Sequence, residues 1–329
     1  MLASVLREYG GPERLRAEQV PDPVPGSGEL LVRVRAAGVQ FVETQVRSGA
    51  MAGTPLAPPE LPWTPGREVA GEVVAVGPDA DPALLGRLVA GQTAGRGGGY
   101  AQLALLSAAE AHPVPEALSA AQAVSLLGTG RTAVALTELA GVGPGDTVVV
   151  ESAAGAVGAL LVQLARNAGA TRVVGLARGE RKLALAEEFG ADLVVDYGTP
   201  GWSAALRAAG VTEATVVFDG VGGAIGREAF ELLGAGGRFV AFGFSGGAGT
   251  KLAEGEADAR GVGVLSYWGP PVGPRGPEVQ LRQTRDALAA AATGDLRPFV
   301  GLTFPLAEAA AAHRAIEARE STGKTVLLP

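Results

Sequence analysis

Hydrophobic positions follow two different periodicities along the chain. Up to about residue 115, short apolar stretches alternate with turns rich in Gly and Pro, and the second half of 30–35 alternates apolar and polar residues as a half-buried strand does. Regular helical spacing is scarce in this part. Similar strand-like stretches recur at 68–76, 88–90 and 99–105. The pattern predicts a small all-β barrel or sandwich for the first part of the chain.

The pattern changes near residue 117, where Ala-rich segments with helical spacing begin. Two helices are predicted at 119–127 and 132–139, interrupted by Gly128-Thr129-Gly130. Apolar strands then alternate with helices: strands at 147–151, 172–176, 193–195, 214–218 and 237–242, and helices at 156–168, 180–189, 202–209 and 223–233. Near-continuous apolar strands with helical crossovers predict a parallel sheet covered on both faces.

The last part of the chain continues with a predicted strand at 263–268 and a Pro/Gly loop at 269–277. Two helices at 278–292 and 307–319 and a strand at 324–328 follow. The length of 329 residues fits about two domains. No internal repeat is visible.

Charge and composition exclude several classes of protein. With 27 basic and 34 acidic residues the net charge is −7, so nucleic acid is not an expected partner. No uncharged stretch reaches the roughly 18 residues of a membrane-spanning helix, so no membrane insertion is expected. Residues 1–11 lack the apolar core of a secretory signal, and a cytoplasmic location is expected.

Cysteine is absent, which removes disulfide scaffolds, thiolate-bound metal centres and thiol catalysis. The two histidines, His112 and His313, are far apart in sequence, and neither has a second histidine at ligand spacing. We therefore expect no metal site.

The most informative motif runs from Ser152 to Gly158, where a predicted strand turns into a helix. Gly155 allows the backbone to approach a pyrophosphate, and Gly158 allows the helix to pack closely on the strand. The first glycine of the six-residue dinucleotide fingerprint is replaced by Ala153. The alternative interpretation is a tight turn in a chain that is rich in Ala and Gly. The surrounding strand–helix alternation favours dinucleotide binding.

The residues after the second strand of this predicted sheet favour NADPH over NADH. An NAD-binding site usually carries an acidic side chain about 20 residues beyond the fingerprint, and Ala177 stands there instead. Arg178, Arg181 and Lys182 follow, a basic cluster suited to a 2′-phosphate. The alternative is an ordinary solvated helix start.

Taken together, the motifs resemble the zinc-independent quinone oxidoreductase branch (zeta-crystallin-like) of the medium-chain dehydrogenase/reductase superfamily. The similarity covers nearly the whole chain. It is carried by the segments 38–49 (GVQFVETQVRSG), 65–71 (PGREVAG), 153–158 (AAGAVG), 218–223 (FDGVGG), 236–243 (GGRFVAFG) and 321–328 (STGKTVLL).

The resemblance implies an α/β fold in which a Rossmann doubly wound parallel sheet is inserted in a GroES-like β-barrel catalytic domain. The expected boundaries are 1–120 for the first part of the catalytic domain, 121–267 for the NADPH-binding domain and 268–329 for the returning part. A homodimer is expected, paired through the edge strand at 263–267.

The resemblance also assigns site residues. Those expected to bind the cofactor are Ser152, Gly155, Ala156, Val157, Gly158, Arg178, Lys182, Tyr197, Phe242, Gly243, Phe244 and Ser245. Catalytic roles are expected for Gln40, Glu43 and Thr132, the last as a contact near the nicotinamide. Independently of the resemblance, Phe41, Trp63 and Trp268 are expected, with Gln45, to line the substrate pocket, because aromatic side chains suit a flat acceptor. The alternative for these aromatic residues is the protein core.

Two departures from the family patterns shape the functional hypothesis. Zinc-dependent relatives carry a Cys ligand near Gln40 and a Gly-His-Glu segment where this chain has Gly66-Arg67-Glu68, so no zinc is expected. Gln40, Glu43 and Gln45 stand where the branch usually has Asn, Asp and Tyr, which leaves the substrate open.

The favoured hypothesis is an NADPH-dependent oxidoreductase that transfers hydride to a small apolar acceptor, a quinone or a related α,β-unsaturated carbonyl compound. One alternative is an enoyl-thioester or 2-alkenal reductase of the same superfamily. Another is an NADPH-binding sensor or structural protein with little turnover.

Overall fold

The computed structural model describes residues 1–54, 60–95, 97–267 and 276–329. The chain divides into two compact units. Unit 1 comprises Met1–Gly128, Ala287–Thr293 and Pro298–Pro329, and unit 2 comprises Thr129–Asp286 and Gly294–Arg297. Within the described ranges, no helix is both long and apolar enough to cross a membrane.

Unit 1 is built mainly from antiparallel strands. Its strands are β1 (Leu2–Leu6), β2 (Leu15–Gln19), β3 (Glu29–Val39), β4 (Glu68–Val76), β5 (Leu88–Gln92), β6 (Leu103–Ser107), β7 (His112–Pro113), β14 (Val300–Pro305) and β15 (Lys324–Leu328). Among the described residues, seven form one sheet in the order β14-β15-β3-β4-β5-β7, with β6 also paired to β3. Strands β1 and β2 form a separate antiparallel pair. The strand-rich character predicted for this part is confirmed, but the part is not all-β, because it also contains a helix.

Strand β3 shows why the sheet forms where it does. Leu30, Val32 and Val34 are buried, while Arg33 and Arg35 between them face solvent, as the alternating pattern predicts. Its buried face packs into a core shared with β4, β5 and β6, and with the helix α10 (Ala309–Glu317).

One helix in unit 1 was missed by the sequence analysis. Helix α1 spans Phe41–Ser48, in a region predicted to have little helix. Its buried residues include the polar Glu43, Thr44 and Arg47, so no apolar stripe marks the helix in the sequence. Gly49 at its C-terminal end has φ 89° and closes the helix in the left-handed conformation.

Unit 2 contains a parallel sheet. Its strands are β8 (Thr147–Glu151), β9 (Arg172–Ala177), β10 (Leu193–Asp196), β11 (Ala214–Asp219), β12 (Leu233–Ala241) and β13 (Gly263–Ser266). In the described part of the chain their order is β10-β9-β8-β11-β12-β13, and every pairing is parallel. This is the doubly wound order 3-2-1-4-5-6, counted from β8, whose ligand crevice opens beside the first strand.

The remaining helices lie in both units. They are α2 (Ala120–Val124), α3 (Gly128–Ala140), α4 (Ala156–Asn167), α5 (Glu180–Glu188), α6 (Trp202–Ala208), α7 (Gly223–Phe230), α8 (Glu256–Ala259) and α9 (Pro277–Thr293). Helix α2 packs on β3, β4 and β5 of unit 1. Buried apolar residues of β8, β9, β11 and β12 form the core of unit 2 with α6 and α7.

Several predicted boundaries are corrected. Gly128-Thr129-Gly130 begins α3 rather than interrupting the helices, because the Glu68 carboxylate accepts a hydrogen bond from the Gly128 N–H at 2.7 Å. The predicted strand at 99–105 is β6 at 103–107, since Ala101 pairs with Ala3 instead. Helix α7 ends at Phe230 and β12 begins at Leu233, before the predicted start at 237. Most of the predicted loop at 269–277 lies outside the described residues.

Candidate functional site

The turn between β8 and α4 has the geometry of an anion-binding helix start. Ser152 has φ 51°, and its carbonyl accepts a hydrogen bond from the Gly155 N–H at 2.7 Å. Gly155 stands at the N-cap of α4, where the structure shows no side-chain cap. The first N–H groups of the helix therefore carry a partial positive charge, and among the described residues no side chain caps them.

Gly158 in this turn cannot be replaced without moving backbone. A Cβ atom there would overlap the Ser152 carbonyl and approach Ala153 Cα to 3.0 Å. Helix α4 thus packs directly on the turn, as expected from the sequence. Ala153, which stands at the first fingerprint glycine, is buried, and its N–H donates to Leu176 O at 2.9 Å.

The end of β9 brings together two of the three residues expected near a 2′-phosphate. The Arg178 guanidinium lies 5.9 Å from the centroid of the Tyr197 ring, and Arg178 is exposed. Lys182 is half-buried in the first turn of α5. These side chains present positive charge and an aromatic face on one side of the sheet.

Asp196 lies beside this group and was not singled out from the sequence. Its carboxylate accepts hydrogen bonds from the N–H groups of Gly179, at 2.9 Å, and Gly198, at 2.6 Å. The Asp196 charge therefore stabilises the two turns that carry Arg178 and Tyr197. The sequence could have indicated this role, because Asp196 is an acidic residue at the end of β10.

The loop after β12 is tied to the end of β11. Phe242 N–H donates to Asp219 O at 2.9 Å, and Ser245 Oγ donates to Gly220 O at 3.0 Å. Gly243 N–H also points at Asp219 O, at 3.2 Å, while the Phe244 side chain is 41% exposed. The loop 242–245 thus lies at the carboxyl ends of two adjacent parallel strands, where ligands of such sheets bind.

Two buried acidic residues end neighbouring strands of the same sheet. Glu151 closes β8 and Asp219 closes β11, and both are fully buried. Burial, and then the Asp219 charge, raise the pKa of Glu151 well above its ordinary value. From the sequence, Glu151 was predicted only as the end of a strand, and Asp219 was noted only within the segment 218–223. An acidic residue at or just after the end of an apolar strand was the missed signal.

Thr132 lies in α3, half-buried. Its hydroxyl is hydrogen-bonded to the Tyr267 hydroxyl at 3.2 Å. Tyr267, just after β13, is itself buried. Thr132 is therefore held from the C-terminal end of the edge strand of the sheet.

In unit 1, Glu43 organises the segment that carries Gln40. The Glu43 carboxylate accepts hydrogen bonds from Gln40 N at 2.8 Å, Arg67 N at 3.1 Å and the Tyr100 hydroxyl at 2.8 Å. It is 1% exposed. Burial raises the pKa of Glu43, and the bonds from Gln40 and Tyr100 oppose that shift. With its oxygens taken by three donors, Glu43 fixes the start of α1.

His313 completes this cluster from α10. Its Nε2 lies 3.1 Å from the Tyr100 hydroxyl oxygen, and its Nδ1 is buried with no hydrogen-bond partner. Because the Tyr100 hydroxyl donates its proton to Glu43, the bond to His313 requires an Nε2–H tautomer. Burial, with the positive charge of Arg47, lowers the pKa of His313 to about 3. The imidazole is neutral.

A second acidic residue of unit 1 is paired with a lysine. Lys324 Nζ lies 2.9 Å from Glu68 Oε2, and both side chains are buried. A Cβ at Gly38 would come to 2.8 Å from Lys324 Cε, so a larger residue there would require the end of the lysine side chain to move. Glu68 Oε1 accepts the Gly128 N–H described above. Gln40 Nε2 lies next to the same glycine.

The residues expected to line a substrate pocket differ in their surroundings. Phe41 is 38% exposed, and Gln45 is half-buried on α1. Trp63 is partly buried against the core of unit 1, and its backbone exchanges hydrogen bonds with Leu6. Trp268 lies outside the described residues.

Across the part of the chain that the structure describes, no group of three His, Asp or Glu side chains has an arrangement that suits a metal ion. At the positions where zinc-dependent relatives carry ligands, this chain has Gln40 and Arg67, and the adjacent Glu68 is engaged with Lys324.

Comparisons with known proteins agree with this architecture. A family model described as "Alcohol dehydrogenase GroES-like domain" matches residues 26–116, and one described as "Zinc-binding dehydrogenase" matches residues 156–270. These matches, with the sheet order, confirm the predicted combination of a GroES-like domain with a doubly wound parallel sheet.

Individual relatives match over their full length. The chain is 33% identical over 336 residues to a quinone oxidoreductase of Pseudomonas aeruginosa, covering 98% of this chain and 97% of that protein. It is 31% identical over 336 residues to a 2-haloacrylate reductase of a Burkholderia species, covering 100% and 99%. The crystal structure of Escherichia coli quinone oxidoreductase complexed with NADPH superposes with a TM-score of 0.88 at 28% identity, covering 100% of both chains.

Proposed function

The chain belongs to the quinone oxidoreductase family of the medium-chain dehydrogenase/reductase superfamily, and we propose that it uses NADPH to reduce quinones or related α,β-unsaturated carbonyl compounds without zinc. The observation that carries the proposal is the start of α4 at Gly155, which has no side-chain cap. The next strand of the same sheet leads to Arg178, whose guanidinium lies over the Tyr197 ring.

The residues of unit 2 fit NADPH in three places. The turn Ser152, Gly155, Ala156, Val157 and Gly158 offers backbone N–H groups to the pyrophosphate. Arg178, Lys182 and Tyr197 suit the 2′-phosphate, because guanidinium and ammonium groups bind phosphate strongly. Phe242, Gly243, Phe244 and Ser245, with Thr132, suit the nicotinamide end. Residues 121–267 are accordingly the proposed cofactor domain.

Bound NADPH would supply the hydride, and Gln40 with the residues around it would orient the acceptor. The Gln40 amide is positioned by the bond from its own N–H to Glu43. We assign it the role of donating to the acceptor carbonyl oxygen, where negative charge develops as the hydride arrives. Water then supplies the proton. Glu43 acts through Gln40, while Phe41, Gln45, Trp63 and Trp268 form the apolar surroundings of the acceptor.

The absence of zinc is supported by residue chemistry. The chain has no cysteine, and Arg67 stands where a ligand histidine is found in zinc-dependent relatives. Quinones and activated C=C bonds accept hydride without a Lewis acid, unlike alcohols, whose oxidation is helped by a metal-bound alkoxide. The 2-haloacrylate reductase relative favours C=C reduction as the second candidate reaction, which includes enones and enoyl thioesters.

We also place the protein in the cytoplasm as a homodimer. The support for the dimer is β13, which ends the sheet of unit 2 with one open edge and has the Val264 side chain 40% exposed. Pairing of two such edges about a two-fold axis extends the sheet across both copies.

The test is steady-state oxidation of NADPH and NADH by a panel of quinones, enones and enoyl thioesters, with and without a chelator. The proposal expects a strong preference for NADPH, turnover with quinones or enones, and no effect of the chelator. Equal rates with NADH and NADPH would contradict the assignment of Arg178 and Lys182 to the 2′-phosphate. Loss of activity on chelation contradicts the zinc-free mechanism. NADPH binding without turnover of any acceptor would instead favour a sensor.

A further inference from the structure

Glu151 and Asp219 face each other across the two strands that flank the ligand crevice of unit 2. Strands β8 and β11 are direct parallel neighbours, with Val150 paired to Phe218. The two acidic residues are the next positions on each strand. Both are fully buried, and the neighbouring Asp219 carboxyl group, together with burial, raises the pKa of Glu151.

The donors around the pair are unevenly distributed. Asp219 Oδ1 accepts the Gly222 N–H at 2.7 Å, and Oδ2 accepts the Thr250 hydroxyl at 2.6 Å. Glu151 Oε2 accepts the Val221 N–H at 2.9 Å. Glu151 Oε1 is buried and has no donor among the residues that the structure describes.

This distribution locates a proton. Two ionised carboxylates held side by side in the interior repel each other, so one member of the pair must be protonated. Both oxygens of Asp219 already accept hydrogen bonds, which stabilise a carboxylate. Glu151 Oε1 lacks a donor among the described residues, so Glu151 is the member of the pair that carries the proton. The N–H groups of Gly220 and Val221, the Thr250 hydroxyl and the glycine at 226 also pack on the pair, and all of them are uncharged.

The pair holds two segments of the proposed cofactor site together. Glu151 and Asp219 accept hydrogen bonds from the N–H groups of Val221 and Gly222. The carbonyl groups of the same turn accept hydrogen bonds from the loop that follows β12. Ser245 Oγ donates to Gly220 O, and Gly246 N–H donates to Val221 O at 2.7 Å. Thr250 anchors the far end of the same loop to Asp219.

We propose that the protonated Glu151 and Asp219 form a positioning pair that fixes the loop 242–245 in the conformation that binds the nicotinamide end of the cofactor. This inference rests on the proposed function. Neither residue needs to touch the cofactor. Glu151 acts through the turn at 220–222, and its proton is what keeps two buried acidic groups in contact.

The test compares Glu151→Gln, which keeps a neutral donor, with Glu151→Leu, which has none. Glu213→Gln, at an exposed position of unit 2, is the control. We expect Glu151→Leu to raise the NADPH Kd and KM about tenfold, equivalent to about 1.4 kcal/mol, with a smaller change in kcat. Glu151→Gln should recover most of that loss. The infrared band of a protonated carboxyl group, present in the wild type at slightly alkaline pH, should lose a component in Glu151→Gln but not in Glu213→Gln.

Two results would overturn the inference. One is an infrared spectrum in which Glu151→Gln leaves the protonated carboxyl band unchanged. The other is a Glu151→Leu protein with a wild-type NADPH Kd and only a lower Tm, since the pair would then be structural. A wild-type protein that does not bind NADPH would contradict the proposed function itself, and the infrared comparison would still report on the proton.

Discussion

Lys324 Nζ lies 2.9 Å from Glu68 Oε2 in the interior of unit 1, although the two residues are 256 positions apart in the sequence. The pair joins the first residue of β15 to the first residue of β4. The remaining oxygen of Glu68 binds the first N–H of α3. One buried charge pair therefore connects three elements.

Removing the lysine should destabilise the protein strongly. Lys324→Met leaves the Glu68 carboxylate buried without its cation, and loss of one partner of a buried ion pair costs about 3–5 kcal/mol. Urea unfolding measures the change. The double variant Glu68→Gln with Lys324→Met should recover part of it, because no uncompensated charge remains. A single variant within about 1 kcal/mol of the wild type would show that the pair contributes little.

The neutral state of His313 should make the protein sensitive to acid. In the unfolded chain the histidine takes up a proton below its ordinary pKa of 6.5, whereas in the folded protein the pKa is about 3. Stability should therefore fall as the pH drops from 6.5 towards 3, by up to about 1.4 kcal/mol per pH unit.

His313→Gln tests this contribution, because its amide keeps a donor for Tyr100 and does not titrate. The free energy of unfolding is measured for both proteins at neutral and at mildly acidic pH. Because both proteins share the same carboxylates, the difference between them reports the contribution of His313 to the pH dependence. A difference that is independent of pH would contradict a neutral His313.

Glu151 should produce the opposite dependence on pH. Its folded-state pKa lies above the unfolded value of 4.5, so the folded protein keeps a proton that the unfolded chain releases. This contribution to stability is lost as the pH rises above the unfolded value. Glu151→Gln should therefore gain stability relative to the wild type as the pH rises from mildly acidic to alkaline. Glu213→Gln should show no such gain in thermal unfolding.

Gly158→Ala should damage both folding and cofactor binding. The added Cβ would overlap the Ser152 carbonyl, and such overpacking costs about 1–3 kcal/mol. We expect a lower Tm and a raised NADPH Kd, because the start of α4 must move. Gly143→Ala is the matched control, since a Cβ there meets open space. Equal effects of the two substitutions would show that close packing at the turn is not what matters.

Arg178→Ala and Lys182→Ala should shift cofactor preference. Each removes a positive charge expected to meet the 2′-phosphate, which NADH lacks. The ratio of kcat/KM for NADPH to that for NADH should fall about tenfold for each variant, in line with the strength of charge-assisted hydrogen bonds. Lys251→Ala, an exposed lysine elsewhere in unit 2, should leave the ratio unchanged. An unchanged ratio in both site variants would place the 2′-phosphate elsewhere.

Much of the fold was predictable because its periodicities are strong. The strands of unit 2 are continuous apolar runs, and their order follows from helical crossovers of one hand. Strand β12 was predicted too short because Gly234, Gly236 and Gly237 stand in its first half, where β-propensity is low. Helix α1 was missed because its buried side is polar and is stabilised by hydrogen bonds to residues distant in sequence.

The site could be predicted from the sequence only where a short continuous segment contains all the residues that form it. The turn at Ser152–Gly158 and the charges at Arg178 and Lys182 are visible as sequence motifs. The pairing of Glu151 with Asp219, or of Tyr100 with His313, depends on which strands become neighbours. No single-segment pattern contains that information. The positions of the cofactor and acceptor residues remain predictions that the experiments above address.

The sheet order of unit 1 also has a consequence for biosynthesis. Strand β14 reaches β3 only through β15, which is translated after every segment of unit 2. The nascent chain can thus complete unit 2, whose last segment ends at Arg297, while the sheet of unit 1 still lacks a central strand. Until residues 324–328 leave the ribosome, the end of β3 at 37–39 lacks the neighbour that β15 supplies, and Glu68 lacks Lys324. The sheet of unit 1 can therefore be completed only after the last segment of unit 2 has been made.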